Sequence, residues 1–182
     1  MKLSKLFSLM KQRKRITVSQ GMTAQWVGDG TALYPIYNLP QLTKSTMRTL
    51  LDLTDDAWDK YTFEKHNAVH VSEEDFEEGQ VQLEPARLSI RWNGVEYLPL
   101  MGGGKIYYIQ EKYLKPFADD TLLTFALRKG ALGGDLICVN EGLLLGAIIA
   151  PVDIGRDNVL QQTLYRVYDL TKRQAGEDNA AL

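Results

Sequence analysis

The chain contains a single cysteine, Cys138, so no internal disulfide can form. It contains only two histidines, His66 and His70, which leaves little material for an imidazole base or a histidine-rich metal centre. No apolar run reaches the roughly 18–20 residues needed to cross a bilayer as a helix. The longest, Leu143 to Pro151, is interrupted by Gly146. Near the N-terminus, Leu6-Phe7-Ser8-Leu9-Met10 is too short for the apolar core of a signal peptide, and Lys11 and Arg13 close it. These features lead to the expectation of a cytoplasmic protein without a transmembrane segment.

The nucleotide fingerprints are also missing. Gly102-Gly103-Gly104-Lys105 lacks the spacing of a phosphate-binding loop, and Ile106 stands where that loop needs Ser or Thr. Gly28-x-Gly30 lacks the third glycine of a dinucleotide site. There is no G-x-S-x-G nucleophile elbow. No catalytic residue, cofactor, metal or small-molecule ligand is therefore expected, and the chain is not read as an enzyme. Cys138 lies in the apolar run Leu136-Ile137-Cys138-Val139 and reads as a buried, inert thiol.

What is present suffices for one core. Hydrophobic residues make up 45% of the 182 positions and charged residues 24%, enough to fold without disulfides or metals. The strongest signal is electrostatic. Lys2, Lys5, Lys11, Arg13, Lys14 and Arg15 fall in the first fifteen residues, with no acidic side chain among them. Residues 16–182 hold the remaining 15 basic and all 23 acidic groups, a formal −8. Such asymmetry marks a segment that meets an anionic partner or stands apart from the body. Leu3, Leu6, Phe7 and Met10 recur at helical spacing, so residues 1–15 read as a basic amphipathic helix or arm.

The remainder reads as a single α+β domain over residues 16–172. Short strands are expected over 16–37, and Leu33-Tyr34-Pro35-Ile36-Tyr37 is confined to a sheet edge by its proline. Thr43 reads as the N-cap of a helix carrying Met47, Leu50 and Leu51. Residues 60–86 are polar and read as a connection. Beyond them Leu88, Ile90 and Trp92 alternate with Arg87, Ser89 and Arg91, and Asn93-Gly94 signals a tight hairpin. On that pattern Trp92 belongs to the core. The expected architecture is an antiparallel meander, or partly closed barrel, of about six strands. A covering helix over 156–172 and a disordered tail at 173–182 complete it.

Two clusters invite chemistry. His66 and His70 would share one face of a helix, half of a zinc site, but Asn67 replaces the glutamate of H-E-x-x-H. In an extended segment they would simply be surface histidines. Asp52, Asp55, Asp56 and Asp59 also share a helical face and read as a solvated acidic surface.

Three stretches carry a resemblance. Leu88-Ser89-Ile90-Arg91-Trp92-Asn93-Gly94, Tyr113 to Asp120 (YLKPFADD) and Cys138-Val139-Asn140-Glu141-Gly142-Leu143-Leu144 resemble uncharacterised proteins of bacterial phages and prophages. The resemblance covers residues 85–152 and implies a bacterial or phage setting; it carries over no site residue.

The functional expectation is a non-enzymatic binding or assembly protein that uses the basic N-terminal helix as contact element. A protein partner or self-association suits it. The alternative is nucleic-acid binding through the same arm and the Arg87/Arg91 strand face, with neighbouring aromatics for stacking.

Overall fold

The apolar stripe of residues 3–13 forms helix α1 (Leu3–Arg13), with Lys11 and Arg13 in the last turn, where cations favour the helix dipole. Lys14 ends the helix in the left-handed conformation, φ 50°. The computed structural model describes residues 1–69, 71–117, 122–153, 162–163, 165–167 and 170.

Directly after Lys14 the chain enters a meander of β1 (Arg15–Gln20), β2 (Gln25–Gly28) and β3 (Ala32–Ile36). Thr43 does cap a helix. It accepts from the Thr46 amide while the Thr46 hydroxyl accepts from the Thr43 amide, and α2 (Lys44–Leu50) follows. Thr54 caps the short α3 (Asp55–Trp58), which carries Asp55 and Asp56 in its first turn. β4 (Thr62–His66) then lies parallel to β1. β5 (Val81–Pro85), β6 (Ile90–Trp92), β7 (Val95–Gly102) and β8 (Lys105–Gln110) follow. A 3-10 turn at Glu111–Leu114 leads towards the last meander, β9 (Leu123–Lys129), β10 (Asp135–Glu141) and β11 (Leu144–Ile149).

The fold is α+β with a mostly antiparallel sheet, but it is larger than the expected six-strand meander. Among the described residues there are eleven strands, three continuous α-helices and one 3-10 turn, with further helical residues at 162–163, 165–167 and 170. The strands run in the order β4-β1-β2-β3-β11-β10-β9-β5-β7-β6, with β8 also on β7. The ladder does not close into a barrel. The expected polar connection 60–86 in fact supplies β4 and β5. β3 is internal rather than an edge. Its proline is tolerated because β11 pairs only with Ala32 and Leu33, leaving Pro35 outside that ladder.

Core residues come from every layer. Leu6 and Met10 of α1, Ile16 and Val18 of β1, and Ile137 and Val139 of β10 belong to one buried cluster. The opposite face of the central strands buries Trp26, Cys138, Leu145 and Ile148 beneath Val69 and Val71. Cys138 is fully buried, and burial pushes its thiol up to about 11. Trp92, expected in the core, is 42% exposed. Its strand spans only Ile90–Trp92 and, among the described residues, pairs with β7 alone; Ile90 packs on Tyr97 and Tyr108, while Trp92, beside the hairpin turn, lies outside that cluster. The Asn93-Gly94 hairpin is as expected, with φ 50° and 75°. The expected helix 156–172 falls largely outside the described residues, although those of its residues that are described, 162–163, 165–167 and 170, are helical; the tail 173–182 lies entirely outside them.

Candidate binding surface

The basic N-terminal helix is docked rather than detached. Leu6 and Met10 are fully buried, and the Lys2 amide donates to the Pro116 carbonyl. Arg13 and Arg15 are both engaged. Arg13 Nε donates to Asp29 Oδ2 at 3.3 Å and its Nη2 donates to Thr31. Arg15 Nη2 donates to both oxygens of Glu64 at 2.9 Å. The ammonium-bearing residues Lys2, Lys5, Lys11 and Lys14 are exposed.

Asp29 is the node that fixes the helix end. Its side chain is 1% exposed. Oδ1 accepts from the amides of Thr31 and Ala32, holding the β2–β3 turn. Oδ2 accepts from the Tyr113 hydroxyl at 2.9 Å as well as from Arg13. Tyr34 in turn donates to the Tyr113 carbonyl at 2.6 Å. The Tyr113 hydroxyl and the Asp29 carboxylate raise the pKa of Arg13 against its partial burial. Burial raises that of Tyr113. The sequence showed Gly28-Asp29-Gly30 only as a turn.

The C-terminal end of α1 abuts the outer strand of the sheet. The Thr62 amide donates to the Lys14 carbonyl at 2.9 Å, so β4 starts where α1 ends. Amides alternate in direction along a strand. With Thr62 facing β1, the amides of Phe63 and Lys65 face outward. Among the described residues β4 pairs with β1 alone, so this outer edge has no strand partner. Lys14, Lys60 and Lys65 are exposed around it against one exposed carboxylate, Asp59, and the one carboxylate on the strand, Glu64, is neutralised by Arg15. The result is a short, cationic, unpaired edge.

The acidic loop 73–78 is committed elsewhere. Glu73 accepts from the Met22 amide and from Trp26 Nε1. Asp75 Oδ1 accepts from the Leu145 amide at 2.7 Å. The Arg128 side chain is fully buried and donates to the carbonyls of Ser72, Glu74 and Asp75. Arg128 therefore clamps the loop against β9–β11, a role its place on a strand did not suggest.

The other nominated residues are scattered. Arg87 is exposed but precedes β6; Arg91 lies on β6 directly opposite Glu96. Tyr97 and Tyr108 are buried and do not offer stacking faces. His66 sits on a strand rather than a helix, and His70 lies outside the described residues. Among the described residues no three His, Cys, Asp or Glu side chains are grouped to hold a metal. No described helix is long and apolar enough to cross a membrane. A cleft of about 600 Å³ opens beside the end of α1, where Gln12, Glu96, Glu111, Lys112 and Lys115 mix both signs of charge. Burial, and then the neighbouring Arg13, lower the pKa of Lys112.

No protein-family model matches the chain, and no curated protein or solved structure matches it.

Proposed function

We propose that the chain is a non-enzymatic binding protein that takes up an extended, acidic segment of a partner protein along the outer edge of β4. The observation that carries this reading is the unpaired β4 edge, which joins directly to the basic end of α1 through the Thr62–Lys14 hydrogen bond. Strand addition supplies affinity through main-chain hydrogen bonds and specificity through neighbouring side chains. Lys14, Lys60 and Lys65 would favour carboxylates on the incoming strand, and would disfavour a second copy of β4 bearing the same cations. The chain's own acidic loop is held by Arg128 and by the Leu145 amide, which also argues for a partner of different sequence. A phage or prophage setting belongs to this proposal on the strength of the three sequence stretches.

Nucleic acid is the second reading. It is favoured by exposed Trp92 next to Arg91, and by the exposed lysines of α1. One experiment separates the two. A labelled peptide of alternating valine and glutamate, and a labelled single-stranded oligonucleotide, are titrated with the full chain at low and high salt while anisotropy is followed. Saturable peptide binding that weakens with salt supports strand capture. Oligonucleotide binding without peptide binding overturns it, as does binding of neither.

A further inference from the structure

Side chains on β4 divide between two faces of different character. Parallel register sets Phe63 beside Ile16 and Lys65 beside Val18. Ile16 and Val18 belong to the main buried cluster, so Phe63 and Lys65 stand on the core face of the strand. Thr62, Glu64 and His66 stand on the other.

The core face is aromatic at one end and cationic at the other. Trp58 stacks on Tyr61 with 6.1 Å between ring centres, and tilts against Phe63 at the same distance. Trp58 is buried, but Tyr61 and Phe63 are only partly so. Ile16 is fully buried on the inner side of Phe63, so the exposed part of that ring lies towards the unpaired edge. Lys65, two residues on, is exposed and has no ion-pair partner among the described residues. The other face disfavours acid. Glu64 is already held by Arg15, and His66 Nε2 lies 3.9 Å from the same carboxylate. A second carboxylate directly beside Glu64 would meet a like charge whose cation is already engaged.

A strand added to this edge, in either direction, sets one residue beside Phe63 and another, two positions away, beside Lys65. Both lie on the core face. A β-branched or aromatic side chain makes a favourable cross-strand pair with Phe63, and a carboxylate makes one with Lys65. We propose that the segment captured by β4 carries an acidic residue two positions from a β-branched or aromatic one, with uncharged residues on its other face. The pattern presupposes strand capture at β4, and adds to it the side chains that the partner must present.

Two labelled peptides of one composition test the pattern by anisotropy with the full chain. In Thr-Glu-Thr-Val-Thr-Val-Thr, the glutamate shares a face with both valines. In Thr-Thr-Glu-Val-Thr-Val-Thr it has moved to the other face, beside Glu64. Each is also made in reverse order, and the tighter orders are compared. The same-face peptide is expected to bind at least about fivefold tighter. In Lys65→Gln that preference is expected to shrink to about twofold. Serine in place of the central valine is expected to weaken the same-face peptide about fivefold. Equal affinity of the two isomers, a preference unchanged in Lys65→Gln, or no effect of the serine would overturn the pattern while leaving β4 as the docking edge. So would binding of the alternating valine–glutamate peptide alone. Binding of none of these peptides would overturn both.

Discussion

Nε of Arg13 lies 3.3 Å from Oδ2 of Asp29, the oxygen that also accepts from Tyr113. One carboxylate therefore ties the end of α1 to the β2–β3 turn and to a tyrosine 84 residues further along the chain. The Arg13 side chain is about half exposed, so the ion pair itself contributes little. The larger share lies in the buried hydrogen bonds to Tyr113 and to the turn amides. Asp29→Asn places an amide donor among donors, and is expected to cost about 2–3 kcal/mol. Denaturant unfolding should show a lower midpoint at unchanged slope. An unchanged midpoint would mean that the node does not hold the helix end.

Arg128 makes a second prediction. Its buried guanidinium donates to three carbonyls of the loop and, through Nε, to Gln80. Arg128→Met fills similar space but leaves those carbonyls unpaired, at an expected cost of about 3–4 kcal/mol. The loop should loosen first. Limited proteolysis is expected to cut near residues 72–80 in the variant and not in the parent. Cleavage elsewhere, or none, would contradict the clamp.

Alkali should unfold the protein. Burial raises the pKa of Tyr34 and Tyr113, and pushes that of Tyr108 up to about 12. An unfolded tyrosine titrates near 10. A raised folded pKa contributes stability that is present below the unfolded value and lost as pH rises through the folded one. Stability is therefore expected to fall from about pH 10 to 12, with tyrosinate absorbance rising together with loss of structure. Lys112, lowered by burial and by Arg13, acts with the opposite sign: its penalty fades as pH rises towards the free-lysine value. The three tyrosines outweigh it. Tyr108→Phe removes a buried hydroxyl that has no hydrogen-bond partner among the described residues, and should flatten the alkaline loss. A fold stable through this range would refute the tyrosine assignment.

Local signals in the sequence were legible where local chemistry decides structure. The Thr43 cap, the Asn93-Gly94 turn and the stripe of α1 each depend on residues within a few positions of one another. β9, β10 and β11 are local in the same sense, short apolar runs separated by the turns at Gly130 to Gly134 and at Gly142. β4 and β5 are not. β4 is stabilised by parallel pairing to β1, 47 residues earlier in register, and its sequence Thr-Phe-Glu-Lys-His shows no apolar alternation. Asp29 and Arg128 escaped for a related reason. Their partners are a distant tyrosine and backbone carbonyls, which leave no trace in a pattern of side-chain types. The basic cluster was legible as charge, but not its division into engaged guanidiniums and exposed lysines.

The most direct test of strand capture replaces one outward amide. Lys65 sits on β4 with its N–H facing away from β1, where an edge strand tolerates proline. The anisotropy titration with the valine–glutamate peptide is repeated on Lys65→Pro, with Lys65→Gln as a control for charge alone. Strand capture requires at least about tenfold weaker binding for the proline variant than for the glutamine one, at comparable thermal stability. Equal affinity of the two variants would contradict β4 as the docking edge.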